Sequence, residues 1–174
     1  WCGTYSHRTG LRLRQYWHLE DKEHTDSQQE TIETVRRLVI DAIERQLVSD
    51  VPLCTFLSGG LDSSIISAVA AQRYAREGKQ LETVSVTYRD NAKYFQASHF
   101  QPNSDDSYIG KMNDAIGANN HLIVIDTPQL VRALFEAVEA RDLPGMADVD
   151  SSLLLFCEEI KKHVTVALSG ECAD

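Results

Sequence analysis

The stretch Val51-Pro-Leu-Cys-Thr-Phe-Leu-Ser-Gly-Gly-Leu-Asp-Ser-Ser64 joins an apolar run to a pair of glycines and then to a helical pattern. The apolar run, Val51 to Leu57, lacks clean alternation, which is typical of a strand buried on both faces. The glycines can turn sharply and leave backbone N–H groups uncovered. The helical pattern continues to Arg76. This order predicts an anion-binding loop, because the unpaired N–H groups and the positive end of the helix dipole point at the turn.

The loop contains no lysine, so it is not the Walker A loop, and its adjacent glycines do not have the GxGxxG spacing. Its hydroxyls and its aspartate suit a polyphosphate whose charge is met by N–H groups, serine side chains and a metal ion held by Asp62. The plain structural alternative is a Gly-Gly turn capped by aspartate and serine.

Two segments carry a family resemblance. Ser58-Gly-Gly-Leu-Asp-Ser-Ser64 resembles the SGGxDS pyrophosphate loop of the ATP pyrophosphatases, which cut ATP between its α and β phosphates. Within that group it is most similar to the synthetase domain of glutamine-dependent asparagine synthetases. The last six residues, Ser169-Gly-Glu-Cys-Ala-Asp174, are similar to the second motif of that domain, SGEGxDE, although Cys172 stands where glycine is usual.

The resemblance implies a set of site residues. Glu171 would act in forming and using the acyl-adenylate, and Asp62 and Asp174 would hold Mg²⁺. A residue at the end of the second strand, Val86, would hold the adenine through its backbone. The residues implied to meet ATP and pyrophosphate are Leu57, Ser58, Gly59, Gly60, Leu61, Asp62, Ser63, Ser64, Val86, Ser169 and Gly170.

The segment from Ala140 to Ser152 is predicted to be a loop, because it holds three aspartates, a proline and a glycine. It resembles the family segment that shapes the pocket for aspartate and ATP. Asp142, Asp148 and Asp150 are therefore candidate substrate contacts, with capping of the next helix as the alternative role. Leu143 departs from the family pattern, in which glutamate is common at that place.

Strand and helix patterns alternate along the chain. Strands are expected at 51–57, 81–88, 121–125 and 164–168, with helices between them and a long amphipathic helix from Thr25 to Leu47 before them. The apolar stripe of that first helix, which includes Val35, Val39 and Ile43, is expected to pack on the sheet. The alternation predicts an α/β fold with a parallel sheet and helices on both faces, and ligands at the carboxyl ends of the strands. The resemblance implies the Rossmann-like adenine nucleotide alpha hydrolase type.

The composition of the chain narrows the class of protein to which it can belong. The chain has 174 residues, 43% of them apolar and 25% charged, which is typical of a globular protein. Its net charge of −9 argues against general nucleic-acid binding. No apolar stretch is long enough for a membrane span, and the four cysteines form no CxxC pair, so we expect a cytoplasmic protein without a membrane partner. A homodimer is compatible with the sequence.

We expect residues 25–174 to form an ATP-pyrophosphatase synthetase domain truncated at its C-terminus. Residues 1–24 are expected to be a linker or edge segment from a missing glutaminase domain, with Leu11 to Trp17 as an edge strand or extended arm. Cys2-Gly3 is similar to the N-terminal nucleophile of such a glutaminase, but Trp1 precedes the cysteine. By resemblance, the expected activity is ATP-dependent amidation of aspartate through β-aspartyl-AMP, with ammonia from glutamine. The piece alone is expected to be nearly inactive.

Two alternatives stay open. One is another adenylating enzyme of the same loop class, such as a β-lactam, GMP or NAD synthetase. The other is a non-catalytic module that senses ATP, against which the paired aspartates and Glu171 argue.

Overall fold

The computed structural model describes residues 1–97, 99 and 104–170. The strands are β1 (Cys2–Ser6), β2 (Gly10–Arg14), β3 (Leu53–Phe56), β4 (Glu82–Tyr88), β5 (Asn119–Ile125) and β6 (Val166–Leu168). The helices are α1 (Gln28–Gln46), α2 (Leu61–Arg76), α3 (Asn91–Tyr94), α4 (Asp106–Ile116), α5 (Thr127–Arg141) and α6 (Ala147–Lys161). No helix of the described residues combines the length and hydropathy that crossing a membrane requires.

The chain divides into two compact units, Trp1–Arg36 and Arg37–Asp174. In the first unit, β1 and β2 form an antiparallel hairpin in which Cys2 lies opposite Arg14 and Ser6 opposite Gly10. The turn is closed by the backbone N–H of Thr9, which donates to Ser6 Oγ at 3.1 Å. The strand expected within Leu11 to Trp17 therefore exists, but it ends at Arg14.

The second unit is built on a four-stranded sheet in the order β5-β4-β3-β6, and every pairing is parallel. The chain steps from β3 to β4 to β5 in one direction and then returns across the sheet to β6. Because crossovers between parallel strands are right-handed, α2 and α4 lie on one face, and α5 and α6 on the other. This confirms the predicted parallel sheet with helices on both faces.

The two faces of the sheet differ in chemistry. On the α6 face, Cys54 and Val84 pack in a buried apolar cluster with Phe156, Ile160 and Val164. On the opposite face, Ala70, Ala71, Leu81 and Ala118 form a second buried apolar cluster, and buried hydroxyls beside it bond to neighbouring side chains. Thr55 Oγ1 lies 2.8 Å from Ser67 Oγ on α2, and Asn120 Nδ2 donates to Thr83 Oγ1 at 2.9 Å.

Local signals explain the helix ends. Ser27 and Glu30 form the capping box of α1, with the N–H of Ser27 donating to Glu30 Oε2 at 2.9 Å and the N–H of Glu30 donating to Ser27 Oγ at 3.4 Å. Gly117 ends α4 at a φ of +62°, a conformation that glycine adopts without strain.

The expectation that the stripe of α1 packs on the sheet is wrong for most of its residues. Ile43 is buried, but Val35 and Val39 are 53% and 38% exposed. The pattern identified a helix correctly, but a helical period does not show which surface covers the apolar side.

The expected loop from Ala140 to Ser152 is also wrong in its second half, because α6 begins at Ala147. Ser151 Oγ donates to the carbonyl of Ala147 at 2.6 Å, and Asp150 pairs with Arg141 at the end of α5. Aspartates in a first helical turn are stabilised by the positive end of the helix dipole, so the acidic composition marks the start of a helix here.

Candidate functional site

A cavity of about 350 Å³ opens at the carboxyl ends of the strands in the second unit. It lies between the loop after β3, the end of β4, the start of α6 and the loop after β6. Its lining residues are Phe56, Leu57, Ser58, Gly60, Asp62, Ser63, Val84, Ser85, Val86, Tyr88, Val149, Ser152, Leu153, Phe156, Ser169 and Gly170.

One wall is the loop between β3 and α2, and its shape depends on Gly59. Gly59 has a φ of +89°, and a Cβ on it would lie 2.8 Å from the carbonyl oxygen of Asp105. Only glycine fits both conditions. Gly60 occupies the cap position of α2 and has no side chain with which to bond the N–H groups of the first turn. Those groups are therefore left to bind an anion in the cavity.

Two serines fix the loop. Ser63 Oγ lies 3.0 Å from Ser58 Oγ, accepts from the N–H of Ser58 at 3.3 Å and donates to the carbonyl of Gly60 at 3.1 Å. Ser63 is buried, whereas Ser58 is exposed at the cavity wall. Ser63 therefore holds the loop in shape, and Ser58 lines the cavity beside it.

The loop after β6 meets this first loop. A Cβ on Gly170 would lie 3.1 Å from Asp62 Cβ and 3.5 Å from the backbone nitrogen of Ser63. Because β6 is the neighbour of β3 in the sheet, the loops that follow the two strands come together at its edge. The expected catalytic Glu171, the expected metal ligand Asp174 and Cys172 lie outside the described residues.

The other side of the cavity is an apolar slot. The ring of Phe56 meets the ring of Phe156 edge to face, with the centroids 4.8 Å apart. The pairing of β3 with β4 ends where Phe56 lies opposite Val84, so β4 extends past β3 by four residues. Val86 lies on this extension and lines the slot, and its role in holding adenine stays a prediction.

The cavity carries little charge of its own. Among the described lining residues, Asp62 is the one acidic residue, and none is a lysine, arginine or histidine. Its carboxylate stands at the start of α2 beside the serine hydroxyls, and oxygen atoms of this kind are the ligands that Mg²⁺ prefers.

The remaining predicted contacts have different surroundings. Leu61 is 75% exposed, and Gly59, Leu61 and Ser64 do not line the cavity.

The aspartates proposed as substrate contacts do not reach the cavity where they are described. Asp142 ends α5 at a φ of +61°, and Asp150 is buried against Arg141; neither lines the cavity. The side chain of Asp148 lies outside the described part of the chain. The structure thus brings eight of the eleven expected ATP contacts together at one cavity, and the substrate roles of the three aspartates stay predictions.

Sequence reasoning missed Ser85, Tyr88 and Ser152, all of which line the cavity. Tyr88 follows Val86 by two positions in a strand, so the period of two was a signal that both side chains point to the same face. Ser152 was hidden by the expectation that its segment is a loop.

Comparison with known proteins gives consistent results. The sequence profile of the family described as asparagine synthase matches residues 34–174. The chain is 58% identical over 168 residues to asparagine synthetase [glutamine-hydrolyzing] 3 of Bacillus subtilis, covering 96% of this chain and 27% of that protein. It is 32% identical over 164 residues to asparagine synthetase [glutamine-hydrolyzing] 1 of Bacillus subtilis, covering 94% and 24%. It is 29% identical over 170 residues to amidase chyE of Penicillium rubens, covering 91% and 25%. The chain thus spans about a quarter of the length of these relatives.

Proposed function

The chain belongs to the asparagine synthase family, and from this premise we propose that it provides the ATP site of an enzyme that converts aspartate to asparagine. The observation that carries the proposal is that Gly170 lies close to Asp62 and Ser63. The two loops that contain the family motifs therefore form one site. An apolar slot for a base adjoins this site. Such a combination suits a nucleoside triphosphate, whose base is apolar at its faces and whose phosphates need N–H and hydroxyl donors.

In the proposed reaction, the side-chain carboxylate of aspartate attacks the α-phosphate of ATP. The bond between the α and β phosphates breaks, and pyrophosphate stays in the loop from Ser58 to Ser64. Ammonia then attacks the β-aspartyl-AMP, which releases AMP and gives asparagine after loss of a proton. Glu171 is proposed to accept that proton.

Each described residue has a role in this proposal. Ser58 and the N–H groups at the start of α2 would bind the departing pyrophosphate, and Ser63 would hold the loop in shape. Val86 would bind the base. Asp62, with Asp174, would hold Mg²⁺, which neutralises charge on the phosphates when it is bound.

We further propose that ammonia comes from glutamine hydrolysed on a separate domain, to which residues 1–24 would connect. The support for this is that two of the relatives are described as glutamine-hydrolysing asparagine synthetases. Supply of ammonium would then replace glutamine in an assay.

The test is pyrophosphate release by the intact protein with Mg²⁺, ATP, ammonium and each of several amino acids. We expect release that depends on aspartate and yields asparagine, and we expect Asp62→Asn to abolish it. Asp114→Asn, an exposed carboxylate on α4, is the matched control and should keep full activity. Pyrophosphate release with a different carboxylate would indicate another adenylating enzyme, and nucleotide binding without turnover would indicate an ATP-sensing module.

A further inference from the structure

A hydrogen bond between two hydroxyls spans the apolar slot. Tyr88 Oη lies 2.7 Å from Ser152 Oγ, and either atom can be the donor. Tyr88 is the last residue of β4, and Ser152 is in the second turn of α6. Both residues line the cavity, Ser152 is 8% exposed, and Tyr88 is 40% exposed. The contact thus joins the sheet to a helix at the mouth of the site.

The position of the pair along the slot follows from the two elements. Every second side chain of β4 points to the same side of the sheet, at a rise of about 3.3 Å per residue. Val84, Val86 and Tyr88 therefore follow one another along that side. On α6, Ser152 lies about one turn before Phe156, which packs beside Val84 in the core. Val84 and Phe156 therefore lie at the inner end of the slot, and Tyr88 and Ser152 lie at its outer end.

We propose that Tyr88 is a specificity-determining residue that contacts the nucleobase through its ring, and that Ser152 is a positioning residue that holds this ring. This inference rests on the proposed function and adds a residue pair that the sequence motifs do not contain. An exposed tyrosine has freedom to rotate, and the bond to a buried serine removes that freedom before a ligand arrives. A ring held in place binds an aromatic base without a further ordering cost.

The pair lies away from the anion-binding loop. Ser58, Gly60 and Ser63 belong to the opposite wall, together with the start of α2. The pair should therefore affect ligands that carry a base and leave inorganic pyrophosphate unaffected. This difference separates the proposed role from a general effect on folding.

The experiment measures steady-state kinetics of the intact protein, with inhibition by pyrophosphate as a second readout. Tyr88→Ala removes the ring, and we expect the KM for ATP to rise about tenfold. Tyr88→Phe and Ser152→Ala keep the ring and remove the bond, and we expect a rise of about threefold for each. The KM for ATP of the double variant Tyr88→Phe/Ser152→Ala should be no higher than that of Tyr88→Phe or Ser152→Ala alone, because both substitutions remove the same bond. The value of kcat, the KM for aspartate and the inhibition constant of pyrophosphate should stay unchanged.

Tyr94→Phe is the matched control, because Tyr94 is 68% exposed and does not line the cavity. Circular dichroism and thermal unfolding of each variant show whether it has folded. An unchanged KM for ATP in all folded variants would overturn the proposal, as would a rise in the KM for aspartate alone or weaker inhibition by pyrophosphate. A wild-type protein that binds neither ATP nor pyrophosphate would overturn both this proposal and the proposed function.

Discussion

Gly59 shows how a single residue can control the site. Its φ of +89° lies in a region that residues with a Cβ rarely adopt, and the added Cβ would meet the backbone of Asp105. We predict that Gly59→Ala lowers the free energy of unfolding by about 1–3 kcal/mol and weakens nucleotide binding. Denaturant unfolding and a nucleotide titration measure the two effects.

Gly60 provides the control for this prediction. Its φ is −73°, and a Cβ on it would meet nothing closer than Ser58 Oγ at 3.5 Å. Gly60→Ala should therefore unfold at nearly the same denaturant concentration as the wild type. Equal destabilisation by the two substitutions would contradict the assignment of strain to Gly59.

Cys54 supplies a second prediction at this scale. It is fully buried in the sheet, and burial raises the pKa of its thiol from 9.0 to about 11. Because the pKa is higher in the folded state, the contribution of this thiol to stability is present below about pH 9 and is lost as the pH rises to about 11. We predict that iodoacetamide at pH 8 labels exposed Cys2 in the folded chain and labels Cys54 after denaturation. Mass spectrometry of the digested protein identifies the labelled residue, and rapid labelling of Cys54 in the folded chain would contradict its burial.

At the residue scale, the sequence predicted the glycine turn, but it did not predict the partner of Asp150. The conformational demand on Gly59 is local, so it can be inferred from the adjoining residues. The partner of Asp150 is Arg141, nine positions away on another helix, and no local pattern indicates that pairing.

Among the elements, β4 links the buried network to the loop. Ser85 Oγ donates to the carbonyl of Leu57 at 2.6 Å, just where the chain leaves β3, and accepts from Asn120 Nδ2 at 3.0 Å. The hydroxyl of Ser85 thus holds the start of the loop between β3 and α2 to the sheet.

We predict that Ser85→Ala lowers the free energy of unfolding by about 1–3 kcal/mol, because Leu57 loses its side-chain donor and Asn120 loses an acceptor. The affinity for ATP should fall with it. Thr87→Ala, two positions further along the same strand, is the control and should have a smaller effect on both. Denaturant unfolding and a nucleotide titration of the two variants check the prediction, which fails if Thr87→Ala has the larger effect.

The elements themselves were predictable to different degrees. The bounds of α2 were predicted from its apolar pattern, and the ends of the central strands from the turns beside them. The start of α6 was missed, because a proline and a glycine next to aspartates are typical of a loop. An ion pair between Asp150 and Arg141 also joins the first turn of α6 to the end of α5, and only the three-dimensional structure shows this contact.

For the molecule as a whole, the alternation of strands and helices was enough to predict a parallel sheet with helices on both faces. The ligand site expected at the carboxyl ends of its strands stays a prediction. The pairing of β1 with β2 was not predicted, because the alternation there is weak and every residue of β1 is exposed. Strand order also lies beyond a single sequence. The placement of β6 beside β3, which brings the two loops together, is a fact of the structure.

The charge of the whole chain leads to a last prediction. A net charge of −9 repels metal-free ATP, and the described cavity lining offers no lysine or arginine to offset this repulsion. The repulsion reaches about 30 Å at 0.01 M salt and about 8 Å at 0.15 M salt. We therefore predict that metal-free ATP binds more tightly as salt is raised over this range, in contrast to the salt response of a basic site.

With Mg²⁺ present, the affinity should be higher at both salt concentrations and should depend less on salt, because the ion neutralises part of the phosphate charge near Asp62. Isothermal titration with EDTA and with Mg²⁺ measures both responses. Tighter binding of metal-free ATP at low salt would contradict the prediction and would indicate a cationic group acting on the site.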